Sequence, residues 1–246
     1  MLRLINLITH FLNHWFAVPV DALLYKLGIH PQHPSRPIGN TLTLELIVFA
    51  GMILFCILVR ISLSVEKPGK PQHLAEWVHE FVEGQAQQVM GHGFVPHLPV
   101  LTCLLIFILF CNCFGLLPGI DTPTANPSVP LGLAVFTFLY YNWHGVRKQG
   151  PIGYLRHFMG PVLLLSPLLF PIEIISNLAR VMSLTVRLYA NMFASDLLTL
   201  VFFSLVPFAI PVVFLGLHFG VALIQSYIFM LLTMIYLAEA TAHTEH

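Results

Sequence analysis

Five apolar stretches dominate this chain, each long enough to cross the ~30 Å hydrocarbon core of a bilayer, which takes about 20 residues of helix. They run over about 44–65, 98–117, 129–146, 172–206 and 212–240. The second opens at Pro96 and Pro99 and closes at Pro118-Gly119. The third ends at Arg147-Lys148, and Pro207 and Pro211 separate the last two. A soluble domain has too few core positions to hide them. Of 246 residues, 57% are hydrophobic and 9% charged, against roughly a quarter charged in soluble domains. Eleven Lys and Arg balance eleven Asp and Glu, so no basic surplus exists to hold nucleic acid. A disordered chain and a disulfide scaffold are excluded on the same composition. The expected fold is an all-α polytopic membrane protein with about five transmembrane crossings.

Residues 1–43, with Pro19, Pro31, Pro34 and Pro37, read as an N-terminal extension, and 44–246 as a single membrane domain. The extension lacks a charged region followed by a small-residue cleavage site, so no signal peptide is assigned. Between the first two spans, 73–90 sets Trp77, Phe81 and Val82 among Glu76, Glu80 and Glu83. That pattern predicts an amphipathic helix at the membrane interface, an ordinary polar connecting helix being the alternative. Short loops on one side (66–97, 147–165) carry Lys67, Lys70, Arg147, Lys148 and Arg156. The opposite segments (1–43, 118–127) carry Arg3, Lys26 and Arg36. By the positive-inside rule the N-terminus, with the extension, lies outside and the C-terminus in the cytoplasm.

The chemistry of most enzymes has no foothold here. Cys56, Cys103, Cys111 and Cys113 all fall inside apolar spans without metal or redox spacing and read as small packing residues. His79-Glu80-Phe81-Val82-Glu83 lacks the second His of a zinc protease. No nucleophile elbow, P-loop or dinucleotide fingerprint occurs. His10 and His14 stand one turn apart and could share a metal, though an interfacial helix face explains them as well. No catalytic residue, metal or cofactor is expected.

The last two stretches carry the signal. Ile172–Val206 runs about 35 residues without Gly or Pro, some ~52 Å of helix, so it must incline steeply or run partly along the membrane. With its partner it makes a long tilted hairpin. The hairpin holds Glu173, Arg180, Arg187, Asp196, His218 and Glu239. Arg or Asp at mid-membrane costs about 2.5–3.5 kcal/mol on insertion scales, so such groups face a partner, a cavity or water. Folding back near Pro207 levels Asp196 with His218, Arg187 with Gln225, and Glu173 with Glu239. Asn177, Arg180, Ser183, Arg187, Ala190, Asn191, Ala194 and Ser195 recur at three- and four-residue steps as one small, polar face. Such a face invites close approach of another helix. That helix should bring an acid, because Arg187 has no carboxylate one turn away. Arg180 can snorkel to the lipid headgroups, and His218 can be a satisfied core histidine. Protonatable clusters on both sides of an arginine that never releases its proton amount to two half-channels and a barrier.

Arg187-Leu-Tyr-Ala-Asn191-Met-Phe-Ala-Ser-Asp196 resembles the R-L-x-x-N-M-x-[AS]-[GS]-[DE] signature of subunit a of the F-type ATP synthase. His218 followed by Gln225-Ser-Tyr-Ile-Phe-Met-Leu-Leu-Thr-Met-Ile-Tyr236 is similar to that family's closing helix. Asn112-Cys-Phe-Gly-Leu-Leu-Pro118 resembles its N-x-x-G-L-L-P segment, and Asp121-Thr-Pro-Thr-Ala-Asn126 its following polar loop. The resemblance covers about residues 40–240. Asp196 stands where Glu is common in the family, and Ala190 where Gly is common.

The resemblance implies a non-catalytic, proton-translocating subunit that abuts a ring of c subunits. Further implied partners are the b-subunit peripheral stalk, the rest of the complex and membrane lipids. It implies that Arg187 faces the ring carboxylate, that Asn191, Asp196, His218 and Gln225 line the outer half-channel, and that Glu173 lies on the inner one. Glu239 joins Glu173 through the hairpin levels. A start without a transit peptide fits a bacterial plasma membrane. The competing readings are a sodium-translocating version of the same subunit and a free-standing secondary transporter.

Overall fold

The structure, a computed structural model, describes residues 7–14, 26, 40–62, 69–91, 93–116, 122–150, 153–154, 166–205 and 210–241. Asp121, the Pro207 turn, the chain's last residues and most of the N-terminal extension lie outside them. Among the described residues every regular element is helical. The six long helices are α1 (Asn40–Ser62), α2 (Lys70–Met90), α3 (Leu98–Phe114), α4 (Ser128–Gln149), α5 (Ser166–Leu205) and α6 (Ile210–Thr241). Short 3₁₀ turns at Val95–His97 and Pro123–Ala125 lead toward α3 and α4, each with a proline at its start.

By length and composition, four helical segments can cross a membrane: Leu42–Ile61, Val95–Phe114, Leu169–Phe202 and Val212–Thr241. The fifth expected crossing, 129–146, is the 22-residue α4, about 33 Å long. Its length suffices, but Tyr140, Tyr141, Asn142 and His144 dilute its apolar character. Helix α5 starts earlier than expected and contains Pro171. As the sixth residue of the helix, Pro171 lies past the four unpaired donors and forfeits one backbone hydrogen bond of the second turn. At 40 residues α5 is about 60 Å long, twice the hydrocarbon core.

Helix α6 is the hub, packing against α5, α3, α4 and α2. Leu101 and Leu105 of α3 meet Val82 and Ala86 of α2 and Met230 and Met234 of α6 in one buried cluster. On another side of α3, Leu104 and Ile108 meet Ala134 of α4, Phe229 of α6, and Leu184, Leu188 and Met192 of α5. The four-residue steps in Leu184, Leu188 and Met192 bring one stripe of α5 to the core. The opposite stripe, including Leu178, Met182 and Val186, is exposed, as fits a helix bathed by lipid or by another apolar surface rather than by water. Helix α1 packs at the edge, on α3 and α2, and most of its apolar side chains face outward.

Two expectations change in detail. Helix α2 is seated against the bundle: Val82 and Ala86 are fully buried, and Tyr227 Oη of α6 donates to Gln85 Oε1 at 2.8 Å. Trp77 nevertheless stays 66% exposed, stacked on Phe81. Of the cysteines, Cys111 is buried, but Cys56 and Cys103 are exposed, so those two fill no core space. His10 and His14 lie on the exposed side of a short helical piece whose Thr9 hydroxyl donates to Thr43 Oγ1 at 2.9 Å.

Candidate functional site

The polar groups of the α5–α6 hairpin form a ladder. Nearest the fold-back, Asp196 of α5 (side chain 25% exposed) and His218 of α6 (1% exposed) face each other at 3.5 Å between Oδ1 and Nδ1. Ser195 fills the shorter contact, with Oγ 2.8 Å from His218 Nδ1. His218 Nε2 lies 3.2 Å from the backbone carbonyl of Asn112. A carbonyl only accepts, so Nε2 carries a hydrogen, and in the neutral ring Nδ1 accepts from the Ser195 hydroxyl. When His218 takes a proton, it is Nδ1–H that points at Ser195 and Asp196.

Asp196 is anchored from a distant part of the chain. Thr122 donates to it twice, from Oγ1 to Oδ1 at 2.7 Å and from its backbone N–H to Oδ2 at 3.2 Å. Asn112 is held by the Thr124 hydroxyl, which donates to its Oδ1 at 2.6 Å. The loop after α3 therefore closes over the hairpin, and Gly115 is what lets it. A Cβ there would overlap the Thr122 hydroxyl and stand 3.1 Å from His218 Cε1. The shorter Asp196 thus reaches Thr122 directly and His218 only at the edge of hydrogen-bond range.

One to two turns further along, Asn191 Nδ2 donates to Gln225 Oε1 at 2.9 Å, bridging α5 to α6. Arg187, Asn191, Ser195 and Gln225 line a cavity of about 330 Å³, with Phe214, Leu217 and Ile224 among its apolar walls. Arg187 donates from Nη2 to Ser183 Oγ at 3.3 Å. Among the described residues no carboxylate pairs with it. Ser183, Ala190, Asn191 and Ala194 beside it are exposed, so the small, polar face of α5 stands open.

A second cluster lies at the far end. Arg180 donates from Nη2 to Glu239 Oε1 at 2.9 Å and stacks over Tyr236, 5.0 Å from the ring centroid. Buried Tyr141 of α4 donates to Asn177 Oδ1 at 2.8 Å, and Asn177 Nδ2 donates to Glu173 Oε1 at 3.2 Å. Tyr154 Oη donates to Asn142 Oδ1 at 2.7 Å. Burial pushes the Tyr154 phenol above its ordinary value; Arg180 pulls against that, and Glu173 and Glu239 add to it.

The expected levels hold for Asp196 with His218, and Gln225 sits one turn from Arg187 across from Asn191. At the inner end the direct partner of Glu239 is Arg180, and both Glu239 and Glu173 act on Tyr154. Arg180 is therefore ion-paired instead of reaching for headgroups. Thr122, Thr124, Tyr141 and Asn142 went unassigned in the sequence. Only the polar-loop resemblance pointed to the first two, and its Asp121 lies outside the described residues.

The sequence model of the family described as ATP synthase A chain matches residues 42–238. The chain belongs to that family. Its relatives agree: the ATP synthase subunit a of Koribacter versatilis is 54% identical over 235 residues, 96% of each chain. That of Solibacter usitatus is 46% identical over 234 residues, covering 95% of this chain and 99% of the relative. That of Campylobacter jejuni subsp. doylei is 44% identical over 176 residues, covering 71% and 78%. The ATP synthase A chain match spans the whole ladder from Asn112 to Gln225 and stops one residue short of Glu239. The chain is a multi-pass membrane protein of this family.

Proposed function

We propose that this chain is the proton-translocating stator subunit of an F-type ATP synthase in a bacterial plasma membrane, with its N-terminus outside and its C-terminus cytoplasmic. It is not catalytic itself. It forms two offset half-channels against a ring of c subunits, beside the b-subunit peripheral stalk. The observation that carries this reading is Arg187: a cation with no carboxylate partner among the described residues, at the rim of a cavity, on the open small-residue face of α5. A membrane cation left so needs an acid brought by another chain.

Protons enter from the outer side at Asp196, Ser195 and His218. Neutral His218 takes a proton at Nδ1, and its imidazolium is met by Asp196 and the Ser195 oxygen. The Asn191–Gln225 amide pair and the cavity lead from there to Arg187, nine residues or about 13 Å along α5. Arg187 holds the arriving ring carboxylate ionised until it is protonated, and it relays nothing itself because guanidinium keeps its proton. The ring carries the proton almost a full turn. Glu173, fourteen residues or about 21 Å from Arg187, receives it for release inside. Each proton falling through 100 mV delivers about 2.3 kcal/mol.

Family membership supports a subunit of the complex over a free-standing transporter. Against a sodium-driven version stands His218 at the centre of the outer cluster, a neutral imidazole whose Nδ1 can accept a proton. Inverted membrane vesicles carrying the assembled complex test this. ATP should acidify them to the same extent with and without sodium; ATP-driven sodium uptake that replaces the acidification when sodium is added would overturn the proton assignment.

A further inference from the structure

The inner cluster holds two acids and one arginine, and the arginine is bound to the acid nearer the chain's end. Arg180 lies seven residues from Glu173 on α5, two turns away and roughly on the same face. Yet its guanidinium is drawn across to Glu239 of α6 and held flat over Tyr236. Glu173 accepts no hydrogen bond from a cation among the described residues, although the Arg180 charge lies near enough to act on it. It is oriented by neutral groups alone: Asn177 donates to its side chain and to its backbone carbonyl at 3.1 Å, and Asn177 is fixed by Tyr141. That phenol, 2% exposed, claims Asn177 Oδ1 and so turns the amide nitrogen toward Glu173.

We infer that Glu239 is a positioning residue whose task is to keep Arg180 off Glu173. The inference rests on the reading of Glu173 as the inner proton acceptor. A relay acid must bind and release its proton within the working pH range. A carboxylate clamped by a guanidinium stays ionised to lower pH and stops relaying. Around Glu173 stand Asn177 and Arg180 of its own helix, the latter bound to Glu239 of α6, with Tyr141 of α4 behind Asn177 and Tyr154, on whose phenol both acids act, beside them. The arrangement gives Glu239 a role different from that of a second channel carboxylate.

The test uses inverted vesicles with the assembled complex, in which the bathing solution sets the pH on the inner side. Glu239→Gln frees Arg180 to swing to Glu173. Proton conduction at neutral pH should fall severalfold, and the inner-side pH profile should move to lower pH by about one unit. Adding Arg180→Gln should return the profile to its parental position, since no cation remains to capture Glu173. A Glu239→Gln profile that stays in place, or one that Arg180→Gln does not restore, overturns the inference. If Glu239→Gln fails to assemble, Glu239→Asp, one methylene shorter, should move the profile the same way by less, and an unmoved profile counts against the inference. Failure of the underlying reading looks different: Glu173→Gln would then leave the parental conduction intact.

Discussion

At the scale of single residues, the site depends on contacts between groups far apart in sequence. Thr122 anchors Asp196 from 74 positions away. Thr122→Val keeps the shape but removes the hydroxyl donor; a hydrogen bond to a charged acceptor contributes about 1.5–3 kcal/mol, softened here by the backbone N–H that remains. Thermal unfolding of the detergent-solubilised complex should show the loss. Gly115→Ala forces its Cβ against the Thr122 hydroxyl and should destabilise by about 1–3 kcal/mol, as overpacking does, while lowering proton pumping through the displaced Thr122. Asp196, His218, Arg187 and Gln225 were legible in the sequence because charged and amide groups inside apolar runs announce themselves. Thr122 and Tyr141 were not, since a threonine in a loop and a tyrosine in a helix are ordinary until a fold brings them to a partner. Glu239 was visible but its partner was not, since counting levels from the turn does not show how far a guanidinium reaches along the axis.

At the scale of helices, burial separates α3 from α1. Ile108 of α3 is fully buried between α4, α5 and α6, so Ile108→Ala should cost about 2–5 kcal/mol by the loss of transfer energy and the cavity left behind. Ile57 of α1 is 47% exposed, and Ile57→Ala should change the melting temperature much less in the same unfolding experiment. The apolar runs predicted which segments are helical, because a ~30 Å hydrocarbon core leaves the backbone no other way to satisfy its hydrogen bonds. They did not predict the start of α5. Pro171 reads as a stop in a sequence, yet the helix runs on through it with the loss of one second-turn hydrogen bond.

At the scale of the molecule, α6 contributes to each core cluster formed by the described residues, while α5 turns one stripe inward and leaves its small, polar face open beside Arg187. In the proposed mechanism that openness serves the rotating ring, whose surface must slide past a cation without a fixed acid to trap it. The loop charges favour the proposed cytoplasmic C-terminus, which predicts that a reporter fused after His246 is protease-accessible in inverted vesicles and protected in right-side-out ones. The most direct measurement is ATP-driven proton pumping by vesicles carrying Arg187→Ala, with assembly of the complex verified by its mobility. The account predicts that pumping is lost in a fully assembled complex; pumping that persists would make Arg187 a structural cation and contradict the two-half-channel mechanism.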